Sequence, residues 1–149
     1  MVADRPEPWL IHFFQRHPSD DPGTAVPVMD FLTTVSVKVA AEIDAILAAV
    51  SEAPPPAFSG GGKWEAMHGD MAGFYEVRVS SRGTNHRLFC LLLREAPKHL
   101  GGPCIICVDG ISKPARSAAR QQDYQRIRLY ADEFARHQKV FQAPRQSSR

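Results

Sequence analysis

No apolar run in the sequence approaches the roughly 20 residues that carry a helix across a bilayer. The opening Met1–Pro8 segment holds acid and proline where a signal peptide would hold a basic stretch feeding an apolar one. The expected setting is therefore the cytosol, with no membrane partner. Cysteine is scarce, and the three present (Cys90, Cys104 and Cys107) are too few for a disulfide framework. Cys104 and Cys107 have C-x-x-C spacing, but no second ligand pair follows to complete a zinc site. They lie in a strand-like Pro-Cys-Ile-Ile-Cys-Val run, where residues three apart point to opposite faces. Buried reduced thiols are the expected outcome.

Enzyme signatures are equally thin. The chain has no H-E-x-x-H, no G-x-S-x-G and no carboxylate pair of the acid–base kind. Gly60, Gly61 and Gly62 are not followed by Gly-Lys-Ser/Thr, so they read as a flexible link rather than a phosphate loop. Histidine is the usual proton carrier near neutral pH. His86 falls on the apolar side of its strand, however, and His68 lies in a loop that could reach a site. Neither has a companion placed by a motif.

What remains is a chain of 149 residues, 44% hydrophobic and 23% charged, suited to one domain with its core over about 9–140. Its net charge of +2 conceals an asymmetry. Residues 1–59 carry three basic and eight acidic groups, a balance of −5; residues 60–149 carry fifteen and eight, a balance of +7. A basic second half is what a polyanion-binding surface requires, and many domains that bind nothing charged share it.

The aromatic Trp9–Phe14 run reads as a strand. Breakers Pro18, Pro22 and Gly23 follow, and then a short helix starts at Pro27. Thr33-Thr34-Val35 weakens its continuation, and Ser36 is placed to cap a second helix. Val39, Ile43, Ile46, Leu47 and Val50 make that helix's core stripe, and the prolines from Pro54 end it. Phe74–Val79 and His86–Leu93 form a hairpin about a Gly83-containing turn, with a third strand at Ile105–Val108. A last helix spans Ser117 to about Lys139, with Ile127, Tyr130 or Ala131, and Phe134 buried. The tail after Gln142 reads as disordered. The expected class is α+β: strand, two helices, three antiparallel strands, helix, with helices covering one sheet face.

A symmetric turn at Arg82-Gly83 places Arg78 directly opposite Arg87. Val77, Val79, Leu88, Cys90 and Leu92 share one face; Glu76, Arg78, Ser80, Asn85 and Arg87 share the other. Like charges across a ladder are unfavourable, so a structural sheet has no reason to select them. A phosphate-binding sheet does, because guanidinium offers a planar fork of donors to phosphate oxygens. The plainer alternative is that Glu76 neutralises one arginine while the other is solvated. Lys113 and Arg116 follow the third strand and either join this face or form a solvated basic loop. Arg120, Arg126 and Arg128 read as the wet side of the last helix.

These residues resemble the RelE/ParE toxin superfamily, and within it the HigB-like, phage-derived branch. The likeness rests on the order of elements and on four pieces. These are the Pro27-Val28…Phe31-Leu32 helix start, the Tyr75-Glu76-Val77-Arg78 strand, the His86-Arg87-Leu88-Phe89 partner and Lys113 after the last strand. It spans roughly residues 9–137. The resemblance implies a metal-independent endoribonuclease that cuts messenger RNA on the ribosome by attack of a ribose 2′-OH on the adjacent phosphate. It also implies an antitoxin partner, expected to be a helix-turn-helix protein. Arg78 and Arg87 would orient the phosphate and stabilise its growing charge. Lys113, or Arg116, would serve the leaving oxygen or assist proton transfer, for which arginine at its ordinary pKa is a poor carrier. Arg82, Arg116, Lys63 and His68 are the expected further RNA contacts. The chain departs from the family in having Pro114 where a second lysine is usual, and Glu76 where a lysine would stand. The other readings are a ParE-like gyrase inhibitor and a non-catalytic binding module.

Overall fold

The computed structural model describes residues 7–55 and 61–142. Part of the expected Ser59–Gly62 link and the tail beyond Gln142 fall outside the described residues. The chain runs β1 (Leu10–Phe13), α1 (Pro27–Leu32), α2 (Val37–Glu52), β2 (Trp64–Ala66), β3 (Phe74–Ser81), β4 (Thr84–Leu93), β5 (Cys104–Pro114) and α3 (Gln121–His137). Five strands make one sheet in the order β1-β5-β4-β3-β2.

Local signals explain the helices. Pro27 opens α1, where a missing N–H costs nothing. The Ser36 hydroxyl accepts from the Val39 N–H at 3.1 Å and so caps α2. The apolar stripe of α2 packs on Val77, Val79, Leu88, Cys90, Ile105 and Cys107.

The sheet is mixed rather than wholly antiparallel, which corrects the expectation. β1 pairs parallel to β5, while β2 through β5 form an antiparallel meander. The α1–α2 layer is the crossover that lets the chain leave β1, start again at the far edge and return beside it. β2 is an extra strand, and β5 is longer than its apolar centre suggested. A bulge at Val108, opposite Phe89–Cys90, shifts the β4–β5 register. Val108 joins the core beneath α3, and the next residue, Asp109, bonds to Arg126 of α3, so the bulge aims both at the same helix.

Helices also lie on both faces, a second correction. Ile127 and Phe134 of α3 bury Phe74, Phe89, Ile106 and Val108 on the face opposite α2. That face has two parts, apolar beneath α3 and charged towards the hairpin turn. The three cysteines are free and buried, and Cys104 and Cys107 belong to opposite faces. Burial pushes the Cys104 thiol up to about 11 and the Cys90 thiol well above its usual value.

Candidate phosphate-binding face

The hairpin register places Arg78 opposite Arg87, Ser80 opposite Asn85 and Val79 opposite His86. Lys113 lies opposite Asn85 on β5, which brings it onto the same face one rung nearer the turn. Lys63, just before β2, accepts the Arg78 N–H at its carbonyl at 2.9 Å. β3 and β4 thus set Arg78 and Arg87 on one rung, with Lys113 of β5 beside them, while the Lys63 side chain lies at the sheet edge, where it lines grooves with Glu42 and Ile46 of α2.

The next rung is acidic. Glu65 faces Glu76 across β2 and β3. The Glu76 side chain is only 8% exposed and serves both arginines. Nη1 of Arg87 donates to its two oxygens at 3.2 and 3.4 Å, and Nε of Arg78 lies 3.6 Å from Oε1. Two free guanidinium groups are therefore not what the ladder holds. Arg87 is 15% exposed and clamped, Arg78 is 41% exposed, and Nε of Arg87 is buried without an acceptor.

The turn supplies further cations. Arg82 adopts φ of +50° beside Gly83 at +78°, the left-handed pair that suits a tight hairpin but favours Asn or Gly over Arg. Arg116, past β5, holds φ of +73°. The Ala115 N–H donates to the Gly83 carbonyl at 2.8 Å, fastening the end of β5 against the turn. Arg82, Lys113 and Arg116 therefore gather at one end of the sheet. Lys113 also donates through Nζ to the Ser117 carbonyl.

His68 does not join them. It sits in the β2–β3 connection, before Phe74, at the other end of β3. His86 points towards α2 and bonds through Nδ1 to the Ser112 hydroxyl at 2.7 Å; burial holds its pKa below the ordinary imidazole value.

Arg126 is not simply the wet side of α3. Its Nε donates to Asp109 Oδ2, and its Nη1 to Asp123 Oδ1, each at 2.9 Å. These groups line a cleft of about 460 Å³ between α1 and α3, with Asp30 and Arg120 nearby. Its carboxylates already engage the guanidinium, which leaves poor footing for a phosphate. The sequence did not flag Asp109, because the bulge at Val108 just before it breaks the alternation along β5. Among the described residues, no group of three or more His, Cys, Asp or Glu side chains is placed to hold a metal ion, and no helix is long and apolar enough to cross a membrane. Comparison with known proteins gives no match: no family model fits the sequence, and neither a curated protein nor a solved structure matches the chain.

Proposed function

We propose that the chain is an RNA-directed toxin of the RelE/HigB kind, cutting messenger RNA on the ribosome and held in check by an antitoxin protein. The observation that carries this reading is the Arg78–Arg87 pair, with Lys113 one rung away, on the part of the sheet that α3 leaves uncovered, and Lys63 at the adjoining edge.

In the proposed reaction a 2′-OH passes its proton to a water molecule and its oxygen bonds to the adjacent phosphorus. The P–O5′ bond then breaks, and the 5′-oxygen takes up a proton. Cleavage leaves a 2′,3′-cyclic phosphate and a 5′-hydroxyl. The phosphoryl group gains negative charge on the way, and fixed donors aimed at it lower the barrier. Arg78 is the accessible donor. Arg87, 15% exposed and held by Glu76, adds its charge beside Arg78. Lys113 is the group assigned to the leaving oxygen, with Arg116 beside it.

Glu76 favours a second reading, a binding module without cleavage, because it already offsets the charge of both arginines. Expression of the chain without a partner separates these. Growth arrest with messages cut on translating ribosomes, lost in Arg78→Ala, is the expected result. Toxicity with intact messages and broken DNA selects a gyrase inhibitor. Absence of toxicity selects the binding module.

A further inference from the structure

A groove of about 610 Å³ lies on the α2 side of the hairpin end. Its walls carry Lys38 from the first turn of α2 and Ser81, Arg82, Thr84 and His86 from the hairpin. Neither Lys38 nor Arg82 is ion-paired among the described residues, unlike Arg78 and Arg87. Among the described residues Glu42 is the one carboxylate lining it, and it also lines a neighbouring groove of about 470 Å³ with Lys63, Arg78 and Ser80. The two grooves follow the part of β3 that runs past its short partner β2. Together they set Lys38, Lys63, Arg78 and Arg82 around Glu42, with Glu76 also paired to Arg78.

Spacing decides the class of ligand. From Arg78 to the end of β3 at Ser81 is about 10 Å along the strand, and Arg82 lies beyond it in the turn. Each of the two side chains lines its own groove, and a single phosphate occupies only one of them. An extended polyanion can, with one phosphate at Lys63–Arg78 and another at Lys38–Arg82.

We propose that the Lys38–Arg82 groove binds a second backbone phosphate of a single-stranded RNA whose neighbouring segment lies at Arg78. This rests on the RNA-directed reading above and adds a path for the strand, around the β3 edge to the α2 side. Lys38 is a positioning residue here, outside the reacting centre, and it is exposed, so its replacement leaves the fold intact.

The test is an NMR titration of the full chain and of Lys38→Gln, with inorganic pyrophosphate and with a short single-stranded oligoribonucleotide. Pyrophosphate is expected to move the amide signals of Val37, Lys38, Ser81 and Arg82 saturably, and Lys38→Gln to abolish those shifts. The variant is expected to bind the oligonucleotide several-fold more weakly. Its log affinity should fall less steeply with log salt, by about 0.7, the loss of one single-strand phosphate contact. Oligonucleotide binding that moves Arg78 and Lys113 but leaves the groove signals still, with wild-type salt dependence in Lys38→Gln, overturns the groove alone. No oligonucleotide binding to either protein overturns both the groove and the RNA-directed reading.

Discussion

Glu76 is the side chain on which the charged face turns. It is buried, so removing its charge leaves Arg87 without a partner in a half-desolvated setting, at a cost of about 1–3 kcal/mol. Glu76→Gln is therefore expected to lower the urea midpoint while raising RNA affinity several-fold. Unchanged affinity would mean that the arginines do not face the ligand. Arg87→Ala is expected to destabilise by a similar about 1–3 kcal/mol, since it strips Glu76 of its main partner. A reading of the alternation alone makes Arg87 a solvent-facing position of little structural weight; the ion pair corrects that. Arg78, at 41% exposed, tolerates alanine within about 0.5 kcal/mol and is the cleaner probe of function. Asp109 has its own signature. Burial pushes its carboxyl up, against the downward pull of Arg126 and the Gly110 N–H. A carboxyl that holds its proton more tightly when folded supports the fold below its ordinary pKa and loses that support as pH rises through the raised value. The stability of the native chain relative to Asp109→Asn should therefore fall as the pH rises above about 4, the ordinary aspartate value, measured by urea unfolding. A rise there would contradict the assignment.

Among the elements, α2 was the most legible, because its cap and stripe are local features. Ser36→Ala removes the bond to the Val39 N–H and should cost about 1 kcal/mol in thermal or urea unfolding. α1 depends instead on a close approach. A Cβ at Gly110 would sit 2.3 Å from the Phe31 ring, so Gly110→Ala should destabilise by about 1–3 kcal/mol or more as α1 is forced off β5. The hairpin register followed from one turn and proved right at Arg78 and Arg87. β2 was missed because Trp64-Glu65-Ala66 is too short to show a period, and its pairing is set by β3. The parallel β1–β5 pairing joins segments about 90 residues apart, and no local signal encodes such a contact. α3 was found, but its side was not. Phe74, Phe89 and Leu91 share the face of Arg78, an apolar extension readable by the same alternation that picked out the arginines.

At the scale of the molecule, the charge asymmetry has a structural form. The acidic first half folds into the α1–α2 layer, and the basic second half builds the hairpin, β5 and the turn where Arg82, Lys113 and Arg116 meet. The arginine row was legible because a two-residue turn sets a register. Its acidic counter-rung was half legible, since Glu76 shares a strand with Arg78 while Glu65 enters through the unforeseen β2. Lys38 left no trace in the sequence, because only the docking of α2 on the sheet brings it to the hairpin. The central claim is that the uncovered basic end of the sheet cuts RNA. It is tested most directly by incubating the purified chain with programmed ribosomes and analysing the ends of the message. The account predicts fragments ending in a 2′,3′-cyclic phosphate and beginning with a 5′-hydroxyl, lost in Arg78→Ala at unchanged stability. A message left whole by the native chain would contradict it.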